Sequence, residues 1–313
     1  MSYCCGCCSP LVSLSNGCEE CFPQGDLHKE VYMQPPPGYP HSGSQVCRLR
    51  RALYGLKQAP RAWFEKFNSV VAQQGFTSSP HDTALFARRS SISITLILLY
   101  VDDMIITGDD SAGIRSLQHF LSQHFEMKDL GILSYVKGTL YHGLHYSSRS
   151  SLELHAYSDA DWAGDPTDQC SIIGFYFLFG TSLVSWHSKK QDVVSRSNTE
   201  AKYRVLADTT CELVWLRWLL ADMDAPQPIA TPLYCDNRSA IYIAHNDVFH
   251  EHTKHIEIDC HITRQHFKKG NLKLFFISSA DQPTDIFTKT HPPGRLRDLI
   301  FKLPLASSLP PRV

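Results

Sequence analysis

Tyr100-Val101-Asp102-Asp103 sets two neighbouring carboxylates between apolar runs, Ile92 to Tyr100 before them and Met104-Ile105-Ile106 after them. Apolar, β-branched runs of this length read as strands, which puts the acidic pair at the tip of a hairpin. Adjacent carboxylates repel each other, and hard oxygen donors of this kind suit Mg²⁺, an ion that also binds substrate phosphates. On the four residues alone, a plain Asp-Asp turn is the competing reading. A second acidic series is more widely spread: Asp159, Glu200, Asp236 and Asp285. Carboxylates gathered at one edge of a sheet could hold two divalent cations, which activate a water and stabilise a leaving oxygen in phosphodiester cleavage. Each also has a structural alternative. Ser197-Asn198-Thr199-Glu200 fits a capping box, in which Glu200 bonds back to the cap. Asp236-Asn237 and Asp285 could serve as helix caps or first-turn acids, and Asp159 shares a polar stretch with Asp161, Asp165 and Asp168.

The elements that would position these acids are legible in the periodicity. Arg61 to Gly75 has helical spacing, with Ala62, Trp63, Phe67, Val70 and Val71 on one face and Gly75 as a stop. Ser111 to Phe125 is helical on Ile114, Leu117, Leu121 and Phe125. A second pattern begins near Ser151: strands over 152–159, 172–179 and 183–186, then a long helix over 199–223. Next come strand 232–235, helix 237–245, a polar helix near 253–267, strand 272–277 and a short helix from Pro283. In that order Asp159 ends a strand, Glu200 opens the long helix, Asp236 ends a strand and Asp285 starts the last helix. The order βββαβα(α)βα predicts one α/β domain with a mixed sheet.

With 313 residues, 43% hydrophobic and 19% charged, the chain has enough apolar material for more than one domain. The formal net charge of -1 gives no global attraction to nucleic acid, so binding would rest on local basic patches. Cys47 to Phe67 is one, with Arg48, Arg50, Arg51, Lys57, Arg61 and Lys66 against Glu65 alone. The apolar runs are too short to span a membrane, and the N-terminus lacks the pattern of a secretory signal. The eleven cysteines therefore read as thiols of an intracellular protein, in cytoplasm or nucleus, and not as a disulfide framework. Cys5-x-x-Cys8 and Cys18-x-x-Cys21 have zinc-like spacing, but without apolar periodicity around them residues 1–21 read as an unstructured leader.

Longer motifs carry a family resemblance. Ala156-Tyr157-Ser158-Asp159-Ala160-Asp161-Trp162-Ala163-Gly164, Ser185-Trp186-His187-Ser188-Lys189-Lys190-Gln191 and Asn198-Thr199-Glu200-Ala201-Lys202-Tyr203 resemble the ribonuclease H domain of Ty1/copia-type retrotransposon Pol polyproteins. So do Tyr234-Cys235-Asp236-Asn237 and Asp281-Gln282-Pro283-Thr284-Asp285-Ile286-Phe287-Thr288-Lys289. Leu53-Tyr54-Gly55-Leu56-Lys57-Gln58-Ala59-Pro60-Arg61-Ala62-Trp63 and Tyr100-Val101-Asp102-Asp103 resemble the same family's reverse transcriptase. The similarity runs from about residue 22 to 303.

The resemblance implies an incomplete polymerase palm over 22–134, followed by a ribonuclease H-like mixed five-stranded sheet with flanking helices over 135–303, and a tail over 304–313. It implies Mg²⁺ in a two-metal site, with Mn²⁺ as a substitute, and RNA–DNA hybrid as partner. It assigns metal and catalytic roles to Asp159, Glu200, Asp236 and Asp285, and polymerase metals to Asp102 and Asp103. It gives Lys57, Gln58, Arg61, Lys189 and Lys190 to nucleic acid. His255, Glu257 and Asp259 are rivals for the fourth carboxylate position, and His250, His252, His255, Cys260 and His261 are zinc-capable by residue type. Two departures argue against polymerisation. Gly17 stands where the family's third polymerase aspartate is expected. Only a few residues separate Phe125-Glu126-Met127-Lys128-Asp129-Leu130-Gly131 from Tyr135-Val136-Lys137-Gly138-Thr139, where the family has a long primer-gripping region. The expected product is therefore a Pol remnant with ribonuclease H cleavage as its surviving chemistry, or a non-catalytic nucleic-acid-binding relic.

Overall fold

The structure is a computed structural model that describes residues 12–15, 26–34, 46–51, 56–100, 103–125, 127–132, 142–144, 150–246, 256–303 and 305–307. The six N-terminal cysteines, Gly17, Asp102, His250, His252 and His255 lie outside the described residues. The chain divides into two compact units, Met1–Tyr135 and Val136–Val313.

The first unit contains β1 (Val12–Ser15), β2 (Asp26–Met33), β3 (Cys47–Arg51), α1 (Ala59–Ala72), β4 (Thr77–Ser78), β5 (Leu85–Arg89), β6 (Ile94–Tyr100), β7 (Asp103–Gly108), α2 (Ser111–His124) and β8 (Lys128–Ile132). Six strands form one antiparallel sheet in the order β4-β5-β6-β7-β1-β8, and β2 pairs with β3 separately. Trp63, Phe67, Val70 and Val71 of α1 and Ile114, Leu117 and Leu121 of α2 share one core with Phe86, Ile97, Met104 and Ile106 of the sheet. The stop expected at Gly75 is there: its φ of +79° is one that a Cβ-bearing residue rarely adopts. The leader is not wholly unstructured. Val12 and Leu14 alternate with Ser13 and Ser15, and this short strand bridges β7 and β8, pairing with both.

The second unit contains β9 (His142–Leu144), β10 (Leu154–Ala160), β11 (Ile172–Phe179), β12 (Ser182–Lys190), α3 (Asn198–Asp222), β13 (Thr231–Cys235), α4 (Arg238–His245), α5 (Glu257–Lys268), β14 (Leu272–Phe276), α6 (Asp285–Thr288), α7 (Pro293–Lys302) and β15 (Leu305–Ser307). Five strands form a mixed sheet in the order β12-β11-β10-β13-β14. The β10–β11 and β11–β12 pairs are antiparallel hairpins, whereas β10–β13 and β13–β14 are parallel. Parallel neighbours need long crossovers, which α3 supplies before β13, and α4 with α5 before β14. This is the ribonuclease H-like five-stranded architecture that the motifs implied.

Alternation along the strands splits the two faces. Leu154, Ala156 and Ala160 of β10 and Leu233 and Cys235 of β13 pack with Tyr203, Leu206 and Leu213 of α3. On the opposite face Tyr157 stacks on Tyr176 at 4.8 Å and on Tyr234 at 4.7 Å, and Tyr234 stacks on Phe275 at 5.6 Å. This ladder of rings across four strands pins the register, because a one-residue slip would turn each ring to the other face.

Candidate functional site

Register forces two acids together. Ser158 of β10 pairs in parallel with Cys235 of β13, so the next residues, Asp159 and Asp236, stand side by side at the strand ends. Asp159 is buried and Asp236 half-buried, with side chains 0% and 3% exposed. Two buried carboxylates so placed need a cation between them. The chain supplies one. The Lys202 ammonium, itself 7% exposed, donates to Asp159 Oδ1 at 2.6 Å and also to Asp236 Oδ1. Thr288 Oγ1 donates to Asp159 Oδ2 at 2.7 Å, and Ser279 Oγ to Asp236 Oδ2 at 2.8 Å. Burial pushes the Asp159 carboxyl up, but Lys202 and Lys289, with the Thr288 hydroxyl, outweigh it and hold it below the usual range. Burial likewise pulls the Lys202 ammonium down, and its two aspartates more than offset this.

The third acid is neutralised in the same way. Asp285 opens α6, and its Oδ1 lies 2.6 Å from Lys289 Nζ, which is also 3.5 Å from Asp159 Oδ2. Arg295 Nη2 lies 3.7 Å from Asp285 Oδ2. Three carboxylates thus face three cations of the same chain. A cleft opens onto this cluster, bordered by Asp161, Trp162, Asn198, Lys202, Asp236 and Lys289.

Glu200 is not among these acids. Its Oε1 lies 3.0 Å from Arg204 Nη2, and its Oε2 accepts the Arg196 backbone N–H at 2.9 Å. Ser197 Oγ accepts the Glu200 N–H at 3.1 Å. The expected metal ligand is therefore a capping residue. At about 100° per residue, Glu200 and Lys202 lie roughly 200° apart around α3, so only one of them can face the strand ends. Helix phase alone does not choose between them: Lys202 precedes buried Leu206, Thr209 and Leu213, and Glu200 precedes buried Tyr203, Ala207, Thr210 and Val214, so it is the hydrogen-bond partners that separate the two. A lysine at the head of a buried stripe needs acidic partners.

The remaining assignments divide. Lys189 and Lys190 end β12, paired with Ile173 and Ile172. Lys190 is held by Asp165 and Asp168, each at 2.6 Å, so its charge is spent internally. Lys189 is exposed, 3.5 Å from Asp192. Trp186, half exposed on the same strand, and Lys189 border a groove between β12 and α3. Glu257 is exposed, 3.9 Å from His261, and Asp259 borders the groove instead of the acid cluster. Cys260 is buried in the core. Among the described residues, no three His, Cys, Asp or Glu side chains are placed to hold a metal. In the first unit Asp103 begins β7 opposite Tyr100, and Asp102 lies outside the described residues. Lys57 and Arg61 are exposed at the start of α1, and Gln58 is its half-buried N-cap residue.

Reverse transcriptases and ribonuclease H-like nucleases generally use divalent metals. The residues here do not fit such a site, because Lys202 sits between the two carboxylates that would ligate the ion and Glu200 points away.

Fold and motifs together define a reverse transcriptase–ribonuclease H type of chain. The family model for "Reverse transcriptase (RNA-dependent DNA polymerase)" matches residues 17–158. The retrovirus-related Pol polyprotein from transposon RE2 of Arabidopsis thaliana is 32% identical over 375 positions, covering 86% of this chain and 26% of that protein. The one from transposon TNT 1-94 of Nicotiana tabacum is 28% identical over 388 positions, covering 87% of this chain and 29% of that protein. The chain belongs to the Ty1/copia-type retrotransposon Pol polyproteins and spans about a quarter of the length of the relatives it matches. In the RE2 alignment, 86% of 313 residues is about 269, against 375 positions, so about 106 positions lie opposite no residue of this chain. Solved structures that are similar include the N-terminal ribonuclease H domain of a Mycobacterium tuberculosis protein, at 11% identity and TM-score 0.32, covering 49% of this chain and 99% of that one. LC11-RNase H1 in complex with RNA/DNA hybrid is similar at 13% identity and TM-score 0.33, covering 44% and 94%. No helix among the described residues is long and apolar enough to cross a membrane.

Proposed function

We propose that this chain is a Pol-derived nucleic-acid-binding module whose ribonuclease H-like unit takes RNA–DNA hybrid without hydrolysing it. One observation carries the reading: the strand-end acids are neutralised by the chain's own cations, so no negative cluster is left to gather two dications at a scissile phosphate. Hybrid as the partner is supported by family membership and by exposed Lys189 and Trp186 on β12, a cation for phosphates beside a ring for sugars or bases. Polymerisation is absent from the proposal. The sequence carries Gly17 where an aspartate is expected, and the alignment gap accords with the loss of a primer-holding region. Holding a primer end in line is a large part of polymerase chemistry.

Fluorescence anisotropy of labelled hybrid with the purified full chain, in Mg²⁺ and over a salt series, tests this. The expected result is salt-dependent binding with intact RNA, weakened by Lys189→Ala with a salt slope lower by about 1. Failure to bind, or cleavage that Asp159→Asn abolishes, overturns it.

A further inference from the structure

Asp159 and Asp236 are brought together by strand register, whatever else the chain does, and each is almost wholly removed from water. Leaving both ionised and uncompensated there is strongly unfavourable. A dication could compensate them, and so could an ammonium, which is compact, carries one charge and has three donors. Lys202 Nζ contacts an oxygen of each acid, and the second oxygens are taken by Thr288 and Ser279 hydroxyls. Mg²⁺ demands near-octahedral oxygen ligands at about 2.0–2.1 Å. An ion bridging these two carboxylates would meet the ammonium head-on.

We infer that Lys202 is a tethered cation: it takes the place of a divalent metal, latches the ends of β10 and β13 together, and makes the cluster metal-independent. The metal site that the family implies is thereby closed by one side chain, and reversing its charge opens a divalent-cation site built on Asp159 and Asp236. This deepens the proposed loss of hydrolysis, and it is read without nucleic acid, so failure of hybrid binding would leave it intact.

The test is metal binding by the full chain, with Mn²⁺ and Mg²⁺ as probes. Thermal unfolding is followed in chelator and in millimolar metal, and Mn²⁺ binding is followed by the relaxation of water protons. Wild type is expected to show no shift in Tm and no Asp159-dependent Mn²⁺ binding. Lys202→Glu is expected to melt several degrees lower in chelator and to regain stability as metal rises, since a ligand bound only by the folded state raises Tm with its concentration. Lys202→Met, which removes the charge at similar length, should melt low and respond to metal weakly. Mn²⁺ binding by wild type that Asp159→Asn abolishes overturns the inference. So does a folded Lys202→Glu chain that gains no metal response. If Lys202→Glu does not fold, the wild-type binding measurement still decides.

Discussion

Two lysines of the second unit each sit between two aspartates, and the contrast between them is instructive. Lys190 Nζ lies 2.6 Å from both Asp165 and Asp168, with side chains 41%, 28% and 48% exposed. Lys202 lies 2.6 Å from Asp159 and bonds Asp236, with side chains 7%, 0% and 3% exposed. The ion-pair geometry is alike, but water is not. At the Lys190 site solvent can take over either charge when its partner is lost, so the triad trims the β12 edge and contributes little. At the Lys202 site water has little access, and Lys289, 3.5 Å from Asp159, pairs with only one of the two acids, so Lys202 decides both whether the strand ends hold together and which ion fits between them. A count of ion pairs would rank the two sites equally, whereas burial separates them.

The contrast is sharpest under Lys202→Met. Urea unfolding is expected to show a loss of about 3–5 kcal/mol, the cost of stranding a buried charge. A loss under about 1 kcal/mol would equate the site with a surface pair and break the comparison.

pH gives the next effect. Asp159, held below 3.8 in the folded protein, contributes stability that is present above 3.8 and lost as pH falls through its lower folded value. Lys202, held above 10.5, contributes stability that is full below 10.5 and lost as pH rises through its higher folded value. The wild-type Tm should therefore show a plateau bounded by an acid and an alkaline limb from this cluster. Lys202→Met should flatten both limbs, and an unchanged acid limb would place the depression of Asp159 elsewhere.

Glu200→Gln should cost less, about 1–3 kcal/mol, by weakening its charged hydrogen bonds to Arg204 and to the Arg196 N–H. It should leave the metal response of the Lys202 variants untouched. A metal response that depended on Glu200 would return it to the acid cluster. Smallest of all is Lys190→Met, whose Tm should match wild type within the error of calorimetry. A clear drop there would mean that the exposed triad fixes the β12 edge after all.

Much of this is legible in the amino-acid sequence. The strand at 172–179 and the helices on Trp63 and Ile114 follow from periodicity, because one apolar face against one core leaves few alternatives. The pairing of Asp159 with Asp236 was half visible: both end strands, but only the parallel register shows them adjacent. β1 leaves no such signal, because four residues, Val12–Ser15, are too few to carry a period amid cysteines and serines. The metal role expected of Glu200 rests on motif match to the family and on its place in an acidic series. Its competing role in the capping box is equally readable, and only the hydrogen bonds of the folded chain decide between Glu200 and Lys202, because both head buried stripes of α3. The motif therefore identified the family, while one position within it determines the chemistry.

The central claim is tested most directly by an anomalous difference map from crystals of the full chain grown in Mn²⁺. The account predicts no anomalous peak between Asp159 and Asp236, with Lys202 Nζ in hydrogen-bonding contact with both carboxylates. A Mn²⁺ peak ligated by Asp159 and Asp236, with the Lys202 side chain displaced from between them, would contradict it.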